Sequence, residues 1–196
     1  MFKRLSLAAA TLGLTTLPAF AHLNPEEHGS FMAGFSHPLF GADHILVMVA
    51  VGIWAAQIAA SRGKDRAVLI IPAAFVGTMA IGFLLALGGI ELPFVEPAIL
   101  ASVIALGLLV AMATRVPVNV AAALVGVFAL FHGHAHGGEL GSAGALQFGV
   151  GFVIATAFLH LAGIAVGLAI ARLGTMAARI VGGLTALAGL SLAFGG

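Results

Sequence analysis

The 196-residue chain contains no cysteine, which excludes disulfides, thiolate metal sites and thiol nucleophiles. Charge is almost as scarce. Only 8% of the residues are Asp, Glu, Lys or Arg, against about 25% in an ordinary soluble domain. Seven acidic and eight basic side chains cannot cover a 19.6 kDa globule in water. The net charge is only +1 and no basic patch is present, which argues against a nucleic-acid partner. A phosphate-cradling P-loop is also missing, so no nucleotide is hydrolysed by the chain itself.

What remains is apolar. Hydrophobic residues make up 61% of the chain and the mean hydropathy is +1.17, the composition of an all-α, polytopic membrane protein. Residues 1–21 read as a cleaved signal peptide: Lys3 and Arg4 precede an apolar run from Leu5 to Leu17, and Ala19-Phe20-Ala21 is a small-x-small cleavage site. That run is shorter than the ~20 residues of a spanning helix. Cleavage there leaves a single membrane domain, residues 22–196, with His22 at its start.

The remainder divides into six apolar stretches, 39–61, 67–90, 97–114, 117–136, 143–171 and 177–195, each close to the length that crosses the hydrocarbon core. Arg62, Lys64, Arg66, Arg115, Arg172 and Arg179 fall on alternate connections, while Glu26, Glu27, Glu91, Glu96 and Glu139 fall on the others. Basic loops stay in the cytoplasm, so six transmembrane helices with both mature termini outside are expected. Gly163 and Gly167 form a small-xxx-small pair suited to packing inside the bundle.

Eight histidines in so apolar a chain require an explanation. His37, Asp43 and His44 stand at the outer end of the first span, where Pro38 is expected in the first turn of the helix. On a regular helix His37 and His44 are separated by roughly 10 Å of rise. Either His37 enters from a non-helical segment, or the two are successive stations. At the outer end of the fourth span, His132, His134, His136 and Glu139 lie within eight residues. His132 and His136 are one helical turn apart, and Gly133, Gly137 and Gly138 offer places for the backbone to break. Imidazole with carboxylate suits Ni²⁺, Co²⁺, Zn²⁺, Cu²⁺ or Fe²⁺. Both clusters fall on one membrane face, which is the main argument for a metal site. A solvated His-rich loop or a metal-free hydrogen-bond network is the bland alternative. His160, mid-way along the fifth span, is a further candidate because ionisable groups in a bilayer are costly. His28 is expected at the surface, and His22 could chelate at the mouth through its imidazole and α-amine.

His37-x5-Asp43-His44 together with Phe131-His-Gly-His-Ala-His-Gly-Gly-Glu139 resembles the HupE/UreJ family of hydrogenase and urease accessory membrane proteins. The resemblance covers essentially the whole chain. It implies a bacterial inner-membrane permease, with no enzymatic activity and no prosthetic group, that carries Ni²⁺ or Co²⁺ from periplasm to cytoplasm. It places the functional residues at His37, Asp43, His44, His132, His136 and Glu139, and leaves the His134 position variable. Two other classes compete: a metal sensor or scaffold that binds without transport, and a zinc-dependent intramembrane hydrolase. The bilayer and a divalent ion are the expected partners, and a homo-oligomer is compatible with the chain. Imidazoles bind metal only when neutral, so uptake should fall as pH drops through about 6.5.

Overall fold

The computed structural model describes residues 30–62, 66–140 and 142–195. The expected signal peptide, His22 and His28 lie outside the described residues. Among the described residues all regular structure is helical: α1 Ser30–Phe40, α2 Ala42–Arg62, α3 Ala67–Leu87, α4 Val95–Ala111, α5 Val118–Gly138, α6 Ala145–Leu173 and α7 Thr175–Phe194. Five of these, α2, α3, α5, α6 and α7, are long and apolar enough to cross a membrane. Of the other two, α1 has 11 residues and α4 has 17, about 25 Å at 1.5 Å per residue.

Helix α1 departs from expectation. Pro38 does not open the spanning helix but lies inside α1, and the break comes at Gly41, before α2 begins at Ala42. The Gly41 amide still donates to the His37 carbonyl at 3.2 Å, and the Ile45 amide donates to the Gly41 carbonyl at 3.0 Å. The chain is therefore bent rather than unravelled, as a membrane environment demands of backbone polar groups.

Helix α2 is the central post. Two thirds of its spanning window is buried, against about a third or less for the other four long helices, and Val47, Val51, Trp54 and Ile58 are all at most 1% exposed. A helix that is apolar all round belongs in the middle of a bundle. Around it, α6 packs against both α1 and α2, α3 packs against α5, and α4 packs against α7.

Glycine makes the closest of these contacts. A Cβ on Gly163 would run into the Val49 backbone, and one on Gly52 into the backbone of His160 and Ile164. Gly163 and Gly167 thus pack inside the bundle as expected. Gly133 and Gly137 serve the same purpose between α5 and α3, where a Cβ would strike the backbone of Met79 and Phe83. They do not break the helix, which continues to Gly138. Close backbone approach is what holds helices together in lipid, where burial of apolar surface gives no net drive.

Polar side chains of α2 complete the end of α4. The Trp54 indole N–H donates to the Thr114 carbonyl at 2.9 Å, and the Gln57 amide donates to the Val110 carbonyl at 3.1 Å. The Val110 carbonyl, in the last turn of the helix, also accepts from the Ala113 amide at 3.1 Å. Gly77, by contrast, faces open space on α3. Gly163→Ala should therefore destabilise the bundle by about 1–3 kcal/mol through forced separation of α2 and α6. Gly77→Ala should stabilise it by about 0.5–1 kcal/mol through helix propensity. Unfolding in mixed detergent micelles should move in opposite directions for the two.

Candidate metal centre

The bend at Gly41 has a direct consequence for the histidines. It brings the His37 and His44 rings to 5.5 Å between centroids, far closer than a regular helix allows. His136, from the last turns of α5, completes the group, with its ring centroid 4.4 Å from that of His37 and 4.5 Å from that of His44. One ring nitrogen from each of His37, His44 and His136 lies within 4.8 Å of the other two, and all three side chains are buried. Imidazoles sharing one ion at 2.0–2.1 Å hold their donor atoms roughly 3 Å apart, so small ring rotations close the site.

Asp43 does not point its carboxylate into this group by itself. Its Oδ1 accepts a hydrogen bond from His44 Nδ1 at 2.7 Å. The proton is thereby fixed on Nδ1, and the lone pair of His44 resides on Nε2. That atom faces His136 Nε2 directly. Two facing ring nitrogens need a proton on one of them or a cation between them. A carboxylate behind a ligating imidazole fixes its tautomer and raises its basicity, and a negative charge nearby offsets the dehydration of a divalent ion. Gly41 leaves room for the pair, since a Cβ there would stand 2.6 Å from His44 Nδ1.

His132 stands one turn deeper on α5, fully buried, with its ring 5.3 Å from that of His44. Its partner is Ser102 on α4, whose Oγ is 3.0 Å from His132 Nε2. The single Ser102 hydroxyl proton is donated to the Ile99 carbonyl at 2.6 Å, so Nε2 of His132 is the donor to Oγ. Nδ1 is then an unprotonated nitrogen, and it has no hydrogen-bond partner. His132 is thus an immobilised imidazole with a free lone pair beside the cluster.

The other candidates separate clearly. Glu139, more than half exposed, has Oε2 3.7 Å from His136 Nδ1, beyond hydrogen-bond length. His134 points elsewhere: its Nε2–H donates to the Ile90 carbonyl at 2.7 Å and ties α5 to the α3–α4 connection. His160 is buried on α6, away from the three-histidine group.

Aromatic rings wall the cluster. Phe152 lies 4.5 Å from His136, and Phe148 lies 6.1 Å from His37. Behind them an apolar cleft of about 500 Å³ opens between α3 and α6, lined by Phe83, Leu84, Phe152 and Ile154 among others. A hydrated ion finds no donor there. These phenylalanines carry no positional signal in the sequence, where fourteen Phe are scattered along the chain. Nothing in the sequence distinguishes Ser102 from the other isolated polar residues of the spans. Gln57 caps α4 and Thr78 donates to its own helix at the Ala74 carbonyl, while Asn119 and Gln147 are exposed.

Comparison with known proteins agrees with this picture. A family model described as HupE / UreJ protein matches residues 9–192. Protein HupE of Rhizobium leguminosarum bv. viciae is 45% identical over 193 residues, covering 97% of this chain and 98% of that protein. No solved structure matches the chain. The motifs at His37–His44 and Phe131–Glu139, the helical membrane architecture and a match along nearly the whole length converge: the chain belongs to the HupE/UreJ family, membrane accessory proteins of permease type rather than enzymes.

Proposed function

We propose that the protein is a six-span inner-membrane permease that takes Ni²⁺, or Co²⁺, from the periplasm to the cytoplasm for hydrogenase or urease maturation. The observation that carries this reading is the convergence of His37, His44 and His136 from three helices, with Asp43 behind His44. Three imidazoles without a thiolate favour a borderline divalent ion over a soft monovalent one or over Mg²⁺.

In this reading α4 is the third of the six spans, with the bilayer thinning around its short length, and the signal peptide sets the mature N-terminus outside. The basic connections then lie in the cytoplasm, and the three-histidine group opens to the periplasm. His37 and His136 take the ion as it sheds water, and His44 Nε2 is held ready by Asp43. Glu139, more than half exposed at the rim, adds negative potential at the entrance. The site has neutral imidazoles as its main donors, so binding is modest and release inward is possible, as conduction requires. His134 is a strut between helix ends and leaves metal affinity alone.

Purified protein in liposomes should admit Ni²⁺ down its gradient. His44→Ala and His136→Ala should abolish entry. Asp43→Asn should weaken binding by about 10–100-fold through loss of imidazole orientation. His134→Ala should keep binding within about twofold while costing roughly 1 kcal/mol of stability for its lost hydrogen bond. Isothermal titration and stopped-flow entry of Ni²⁺ read all four. Tight binding with no entry by the wild-type protein would leave a sensor or scaffold instead.

A further inference from the structure

Outside the three-histidine group, the most conspicuous polar side chain in the bundle is His160. It is 1% exposed, and neither Nδ1 nor Nε2 has a hydrogen-bond partner. An imidazole kept for packing should find at least one acceptor, because a buried unsatisfied N–H is costly and lipid offers no substitute. One is close by sequence: Thr156 sits one turn earlier on α6. Its hydroxyl instead lies 3.7 Å from the thioether sulfur of Met79, so His160 is left alone.

What surrounds His160 is otherwise apolar or backbone. The Phe75 ring meets it edge to face at 5.0 Å, and α2 packs beside it through Gly52. The other side of the arrangement is His132, whose ring is 5.9 Å from Phe75 and whose Nδ1 lone pair is likewise unused. The order inward is therefore His44, His132, Phe75, His160. Two buried imidazoles with vacant nitrogens share one aromatic ring, with the sulfur of the fully buried Met79 on the same helix as that ring.

We propose that His160 is a second, inner binding station for the transported divalent cation, reached from the outer cluster by way of His132 with the Phe75 ring between them. The inference rests on the permease reading. The donor on the inner side is the His160 imidazole, and the Met79 thioether and Thr156 hydroxyl, 3.7 Å apart and one helical turn nearer the outer cluster, lie on the way to it, a set that suits a borderline divalent ion. With one imidazole and no carboxylate the inner station is weaker than the outer one. An ion leaving the outer cluster therefore has somewhere to go without becoming trapped.

The absence of cysteine elsewhere in the chain makes a clean test possible. The full protein, reconstituted in liposomes, would be compared with His160→Leu and His160→Cys for Ni²⁺ and Cd²⁺ entry, with the visible spectrum of bound Co²⁺ reporting the outer cluster. His160→Leu should keep the Co²⁺ spectrum and lose at least about tenfold in Ni²⁺ entry, the scale on which a lost metal-site contact is felt. His160→Cys should keep entry and shift preference toward Cd²⁺ by about tenfold or more, because a thiolate favours the softer ion. Undiminished Ni²⁺ entry in His160→Leu overturns the proposal. So does an unchanged Ni²⁺-to-Cd²⁺ ratio in His160→Cys, which makes His160 a packing residue; this arm decides the matter even if His160→Leu fails to fold. A wild-type protein that binds Co²⁺ but passes no Ni²⁺ overturns the permease reading itself, an outcome distinct from both.

Discussion

The hydrogen bond from His44 Nδ1 to Asp43 determines what the rest of the three-histidine group can do. Hydrocarbon does not stabilise a carboxylate or a lone imidazole, so each must be partnered inside the bundle. Because Asp43 accepts the hydrogen bond from Nδ1–H, His44 presents an unprotonated Nε2 to His136, and the group has an electron-rich centre with a negative charge behind it. The bend at Gly41 and the room left by its missing side chain are what let Asp43 and His44 adopt that arrangement while His37 folds back on them.

The scaffold supports this site through the same constraint. Because lipid is as apolar as the helix surfaces, the bundle is held by close backbone approach and by interhelical hydrogen bonds. Gly133 and Gly137 seat α5 against α3, and His132 and His136, each one residue earlier, are thereby turned toward α2. Ser102 of α4 then fixes the His132 ring. The glycines of the second motif and its histidines are two faces of one helix, one packed on α3 and one turned toward His44 and His37.

Much of the architecture was legible in the sequence. Each of the six apolar stretches coincides with a helix to within a few residues, because uninterrupted apolar runs bounded by charge leave little choice of structure in a bilayer. Two local readings failed for identifiable reasons. Pro38 was expected to start a helix, but a proline can also sit inside a bent helix when the bend at a following glycine takes up the distortion. Gly133 and Gly137 offered places for α5 to break, whereas the close approach of α3 uses them as small residues in an unbroken helix. The meeting of His37 with His44 was not legible, since one-dimensional spacing on a regular helix separates them. The pairing of His134 with the Ile90 carbonyl depends on where two chain turns meet, which spacing alone does not reveal.

X-ray absorption on the Ni²⁺-loaded protein tests the central claim most directly, since it counts imidazoles around the ion without relying on transport. The arrangement of His37, His44 and His136 predicts scattering from three imidazole rings with light-atom ligands completing the sphere, reduced by one ring in His136→Ala. A nickel environment of oxygen ligands without imidazole scattering would contradict it.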